Sequence, residues 1–208
     1  MPKKKKPNPY SERERRLVAQ EAARIIVNQG VRDYHAAKIK AADRLGFNKR
    51  GSLPGNGEIE QAVAEHHQLF GGDSHSEFLC SLREAALAAM ETLADFSPRL
   101  VGPVLTGTAD HNSAANLHLF ADSPESVGLQ LSELGMSYRI FERRLKFRRN
   151  ESQAFAGFEF YYEEATIQAT VFPVDGIRQA PLSPIDGKPM QRADATAVAL
   201  LTRPGTSR

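Results

Sequence analysis

Ser76-Glu-Phe-Leu-Cys-Ser-Leu-Arg-Glu-Ala-Ala-Leu-Ala-Ala-Met-Glu-Thr-Leu-Ala94 and, just after it, Pro98-Arg-Leu-Val-Gly-Pro-Val-Leu105 decide how the chain folds. In the first stretch Phe78, Leu82, Ala85, Ala86, Ala89, Met90 and Leu93 recur at helical steps and form one apolar stripe, so a helix is expected from about Ser76 to Ala94. After Pro98 the apolar residues come in short β-like runs. The change of period separates a helical part from a sheet part. The expectation is an α+β chain whose helical N-terminal half is packed on a mixed β-sheet C-terminal half.

Towards the N-terminus, Ser11-Glu-Arg-Glu14 has capping-box spacing and opens a helix with Val18, Ala22, Ile25 and Ile26 inward, ending at Gly30. Asp33 is placed to cap a second helix with Tyr34, Ala37, Ala41 and Leu45 on its apolar side, ending at Gly46. Arg32, Lys38, Lys40 and Arg44 then fall on a cationic face. Asn56 is expected to cap a third helix with Ile59, Val63 and Phe70 inward, closed by Gly71-Gly72. Residues 11–97 form the helical region in this reading, preceded by a disordered basic arm at 1–10.

Towards the C-terminus, strands are expected at Leu100–Leu105, Leu117–Ala121, Tyr138–Phe141, Leu145–Phe147, Phe155–Tyr162 and Thr166–Phe172. Glu163-Glu164 turns the last two into a hairpin. Ser123-Pro124-Glu125 starts a helix running to Leu134, and a short Ala-rich helix lies near Asp194–Leu201. The α/β region covers residues 98–201, and 202–208 form a disordered tail.

Composition narrows the class. Of 208 residues 41% are hydrophobic and 25% charged, an ordinary globular balance. No apolar run approaches the roughly 20 residues needed to cross a bilayer, and the N-terminus lacks a secretory apolar stretch. A cytoplasmic protein without a membrane partner is expected. The lone Cys80 excludes an internal disulfide.

The net charge of +2 conceals an asymmetry. Residues 1–50 hold 14 Lys/Arg against 5 Asp/Glu, a net of +9, and the remainder holds 13 against 20, a net of −7. Such a block either meets the phosphates of a nucleic acid or serves as a solubilising tail with solvated helix faces. The first option uses Lys3, Lys4, Lys5 and Lys6 in the arm, and Lys38, Lys40 and Arg44 on the second helix. The same helices also read as a helix-turn-helix DNA-binding regulator, or as a plain bundle. His66, His67, His75 and Cys80 show no recognised zinc spacing and read as polar helix surface. Asp186-Gly187 signals a turn, beside which Lys188 and Arg192 offer a hold for a phosphate.

The order strand, Gly-Thr loop, strand, helix and further strands over about residues 99–175 resembles the polymerase-β-like nucleotidyltransferase superfamily. Val104-Leu-Thr-Gly107-Thr108 matches the family's first element, with Thr in place of Ser. The resemblance implies that backbone amides and the hydroxyl there hold nucleotide phosphates. It also implies two carboxylates one residue apart on the next strand, and a third on a later strand, clamping two magnesium ions for phosphoryl transfer. Here Asn116, His118 and Gln168 stand at those places. The expected nucleotide-binding set is therefore Gly107, Thr108, Asp110, Asn116, His118 and Gln168, in a protein that binds a nucleotide or nucleic acid without the ordinary two-metal site and with no assigned cofactor. The alternative is an active magnesium-dependent nucleotidyltransferase that draws its acids from Asp110 and Asp122.

Overall fold

The computed structural model describes residues 9–31, 33–47, 53–148 and 151–202 of the chain, which divides into two compact units, Met1–Gly72 and Asp73–Arg208. The division falls before the long helix rather than at residue 97, because that helix spends its apolar stripe on the sheet.

The first unit contains α1 (Pro9–Gln29), α2 (Tyr34–Leu45) and α3 (Asn56–Phe70). Its core is Val18, Ala22, Ala23, Ile25, Ala37, Ala41, Ile59 and Val63, small enough side chains that the helices pack closely. Gly30 and Gly46 both take left-handed backbone, ending α1 and α2 where expected. Asp33 caps α2 by accepting from the His35 amide at 2.8 Å. Two caps differ from expectation. α1 begins at Pro9, whose fixed φ suits a first helical position, so Ser11 lies inside the first turn and Pro9 and Tyr10 belong to the helix rather than to an arm. α3 is capped by Gly55, whose amide donates to Glu58 at 2.7 Å, while Asn56 turns its side chain to Lys38.

The second unit is a five-stranded mixed sheet with helices on one face. α4 (Gly72–Thr92) starts four residues earlier than its stripe suggests. The strands are β1 (Arg99–Val101), β2 (Ala115–Phe120), β3 (Tyr138–Arg148), β4 (Glu151–Tyr162) and β5 (Ala165–Phe172), in the spatial order β1-β2-β5-β4-β3. β2 runs parallel to β5; the other neighbours are antiparallel. α5 (Pro103–Thr106), α6 (Pro124–Glu133) and α7 (Ala195–Leu201, capped by Asp194) complete the unit. Leu82, Ala86 and Met90 of α4 and Leu93 just after it pack with Leu131 of α6 and Val198 of α7 on Leu117, Leu119, Ile167, Ala169 and Phe160 of the sheet. Among the described residues no helix is long and apolar enough to cross a membrane.

Three strands differ clearly from their expected extent; β4 starts at Glu151, four residues before the expected Phe155. Leu100–Leu105 is not one strand: Gly102, at φ +73°, turns the chain after Val101, and Pro103 opens the one-turn α5. Tyr138–Phe141 and Leu145–Phe147 are one strand, because Glu142-Arg143-Arg144 lies on the sheet edge, where charged side chains reach solvent without breaking the ladder.

Candidate functional site

Alternation sends Asn116, His118 and Phe120 of β2 to the sheet face opposite α4, together with Gln168, Thr170 and Phe172 of β5, which stand beside them in parallel register. At one end this face is apolar: Phe120, Leu145, Phe155 and Phe172 pack with Ile177 of the 3-10 turn Val174–Arg178. The other end is polar and carries the candidate site.

There Arg143 reaches across from the edge strand. Its Nη1 donates to Asn116 Oδ1 at 2.9 Å and its Nη2 to Gln168 Oε1 at 2.6 Å. Gln168 Nε2 in turn donates to Glu159 Oε2 at 2.7 Å, and Arg139 closes the chain on Glu159 Oε1 at 2.7 Å. The guanidinium therefore rests on two neutral amide oxygens, while the one carboxylate nearby is shared by Gln168 and Arg139. Burial lowers the Arg143 pKa from its ordinary value. The Phe141 ring lies under the guanidinium, 5.1 Å from its centre. Gly157 makes room for that ring, since a Cβ there would collide with it and come within 2.9 Å of the Ala169 carbonyl oxygen.

His118 is separate from this cluster. It is 1% exposed and accepts from Arg192 Nε through Nδ1 at 3.0 Å. Arg192 also donates to the Gly176 and Ile177 carbonyls and stacks on Phe120 and Phe172 at 5.0 and 5.2 Å. Burial first, and then the charges of Arg192 and Arg143, push the His118 pKa down to about 3, so the ring is neutral. Burial, with Arg99 as the second cause, brings Arg192 to about 10, so it stays charged at neutral pH. Thr170 Oγ1 and Arg192 Nη2 are buried with no hydrogen-bond partner among the described residues.

The Gly107-Thr108 pair does not serve as expected. Both amides donate to the Pro103 carbonyl, at 2.9 and 3.0 Å, and the Thr108 hydroxyl bonds that of Thr106 at 3.0 Å. Gly107 faces Leu79 and Arg83 of α4; the glycine bordering Asn116 is Gly102. Asp110 closes its own turn, accepting from the Asn112 amide and the Ser113 hydroxyl. Asp110 precedes β2 and the exposed Asp122 follows it, so the six-residue strand, roughly 20 Å long, separates them. That span does not match a two-metal clamp, whose ions lie about 4 Å apart.

Asn116 and Gln168, the positions the resemblance assigns to acids, do come together. Their oxygens do not fit a magnesium ion, which favours hard anionic donors, and both already accept from Arg143. Among the described residues no three His, Cys, Asp or Glu side chains gather to hold a metal.

Lys38, Lys40 and Arg44 have partners within the first unit. Lys38 donates to the Pro54 carbonyl and Asn56, Lys40 to Gln29, and Arg44 pairs with Glu21 at 2.9 Å. Of the three, only Arg44 has a carboxylate partner among the described residues; Lys38 and Lys40 rest on neutral oxygens. Lys3, Lys4, Lys5, Lys6 and Arg32 lie outside the described residues. Lys188 is exposed beside Asp186.

No protein-family model matches this chain, and no curated protein or solved structure matches it.

Proposed function

We propose that the chain is a nucleotidyltransferase-like protein that binds nucleotide phosphates without metal-dependent transfer, Arg143 taking the part of the cation in the site. The observation that carries this reading is the pair of bonds from Arg143 to Asn116 and Gln168. In the family, those positions hold a metal that neutralises phosphate charge; here they hold a guanidinium. Of its five N–H donors, the two bonds use two, and the planar fork matches phosphate oxygens. No described carboxylate pairs with Arg143, so its charge is left for a ligand on the open face. Arg192, on the same face, is committed to His118 and to the Gly176 and Ile177 carbonyls.

This reading expects no appreciable incorporation when the chain is incubated with labelled nucleoside triphosphates, magnesium or manganese, and RNA, DNA or protein acceptors. The developing phosphoryl charge lacks its metal clamp, and the one carboxylate nearby, Glu159, is already held by Gln168 and Arg139. Robust labelling abolished by Asp110→Ala or Asp122→Ala would instead establish the active enzyme.

A further inference from the structure

β4 pairs with β5 only from Gly157 onwards, so Arg143–Arg148 of β3 and Glu151–Ala156 of β4 leave the sheet as a two-stranded ribbon roughly 20 Å long. The ribbon's inner face is committed to Leu145, Phe147 and Phe155 in the aromatic cluster. Its outer face carries the exposed Arg144 and Lys146, cross-strand from the small, exposed Ala154 and Ser152; past a register shift Arg148 stands opposite Glu151 at the tip. The carboxylates there are Glu142, 3.6 Å from Arg144, and Glu151, 3.7 Å from Arg148. Both pairs are loose and at least 63% exposed, so they compete weakly with a phosphate. Along the same face the ribbon runs into a largely apolar groove between α6 and β3, lined by Leu129, Tyr138, Ile140, Ala156 and Phe158, with Glu125 also in its lining. Leu129 and Ile140 are 62% and 66% exposed in it.

We infer that this outer face binds a single strand of nucleic acid, with its phosphates along Arg144 and Lys146 and reaching Arg148 at the tip, and a base in the groove at Ile140. Cations in a row supply charge complementarity to a backbone, small neighbours admit it closely, and an apolar groove at the end of the row suits an unpaired base. The inference does not rest on the nucleotide site, because Arg143 points to the opposite face. Charged side chains on an edge strand also discourage edge-to-edge pairing. A role confined to that purpose leaves nucleic-acid binding untouched.

The test is fluorescence anisotropy of a short labelled single-stranded RNA with the full chain over a salt series. R144E/K146E/R148E is expected to weaken binding at low salt by at least about tenfold and to reduce the slope of log affinity against log salt by about 2 to 3, at roughly 0.7 to 0.9 per phosphate contact. R144K/R148K, which keeps the charge, retains binding, and an unchanged melting temperature verifies that the reversed variant folds. Ile140→Ser weakens binding without altering the slope, because a base carries no charge. Absence of binding at low salt, indifference to the charge reversal, or a slope that responds only to removal of Lys3–Lys6 would overturn the inference. Unchanged affinity in Ile140→Ser would overturn its single-strand assignment.

Discussion

Between pH 7 and pH 5 the folded chain is expected to lose about 2 kcal/mol of stability through His118 alone. The imidazole is buried against Phe172 and bonded by Arg192, and its pKa is pushed down to about 3 from an ordinary 6.5. At pH 5 the unfolded chain therefore binds a proton that the folded chain refuses. Stability from this group is complete above about pH 6.5 and is lost progressively as pH falls towards about 3, at up to about 1.4 kcal/mol per pH unit. His75, also lowered by burial, acts in the same direction. Urea unfolding of the wild type and of His118→Gln at both pH values measures the effect: the variant, which keeps an acceptor for Arg192 and does not titrate, should show a shallower dependence. If the variant does not fold, NMR titration of the wild-type imidazole decides, and protonation near pH 6.5 would refute the assignment.

The second large effect concerns Arg143. Hydrogen bonds to a charged group contribute roughly 1.5–3 kcal/mol each, so Arg143→Ala should weaken nucleoside triphosphate binding about ten- to a hundredfold. Arg143→Lys should recover only part of it, because one ammonium does not reproduce a fork resting on both Asn116 Oδ1 and Gln168 Oε1. The side chain lies on the sheet surface rather than in the core, so the fold should survive the change. Isothermal titration with a triphosphate, paired with thermal unfolding, separates lost binding from lost structure.

The elements whose signals are local were legible in the sequence. The α4 stripe, the Asp33 cap, the left-handed stops at Gly30 and Gly46 and the Glu163-Glu164 hairpin all depend on neighbours within a turn or two, and all stand in the structure. β3 was obscured because Glu142-Arg143-Arg144 has the polarity of a loop, and only its place at the sheet edge reconciles it with a strand. Reading Leu100–Leu105 as one strand gave too little weight to Gly102-Pro103, where the turn is made.

For the site, Asn116 and Gln168 were found because strand alternation and the family's element order both point at them. Arg143 was not, since it lies 27 and 25 residues from its two partners and no local pattern connects them. Arg192 showed in the sequence only as a phosphate hold beside a turn, and its bond to His118 spans 74 residues. The Gly107-Thr108 pair misled for the opposite reason: the two residues match, but the α5 turn consumes their amides.

On the proposed reading a guanidinium, not a metal, provides the positive charge at Asn116 and Gln168. Titrating a nucleoside triphosphate into the chain in EDTA, and again in magnesium, tests it most directly. Binding is expected in EDTA, no tighter when magnesium is supplied, and weakened in Arg143→Ala under both conditions; binding that appears only with magnesium and is indifferent to Arg143→Ala would refute the guanidinium's role.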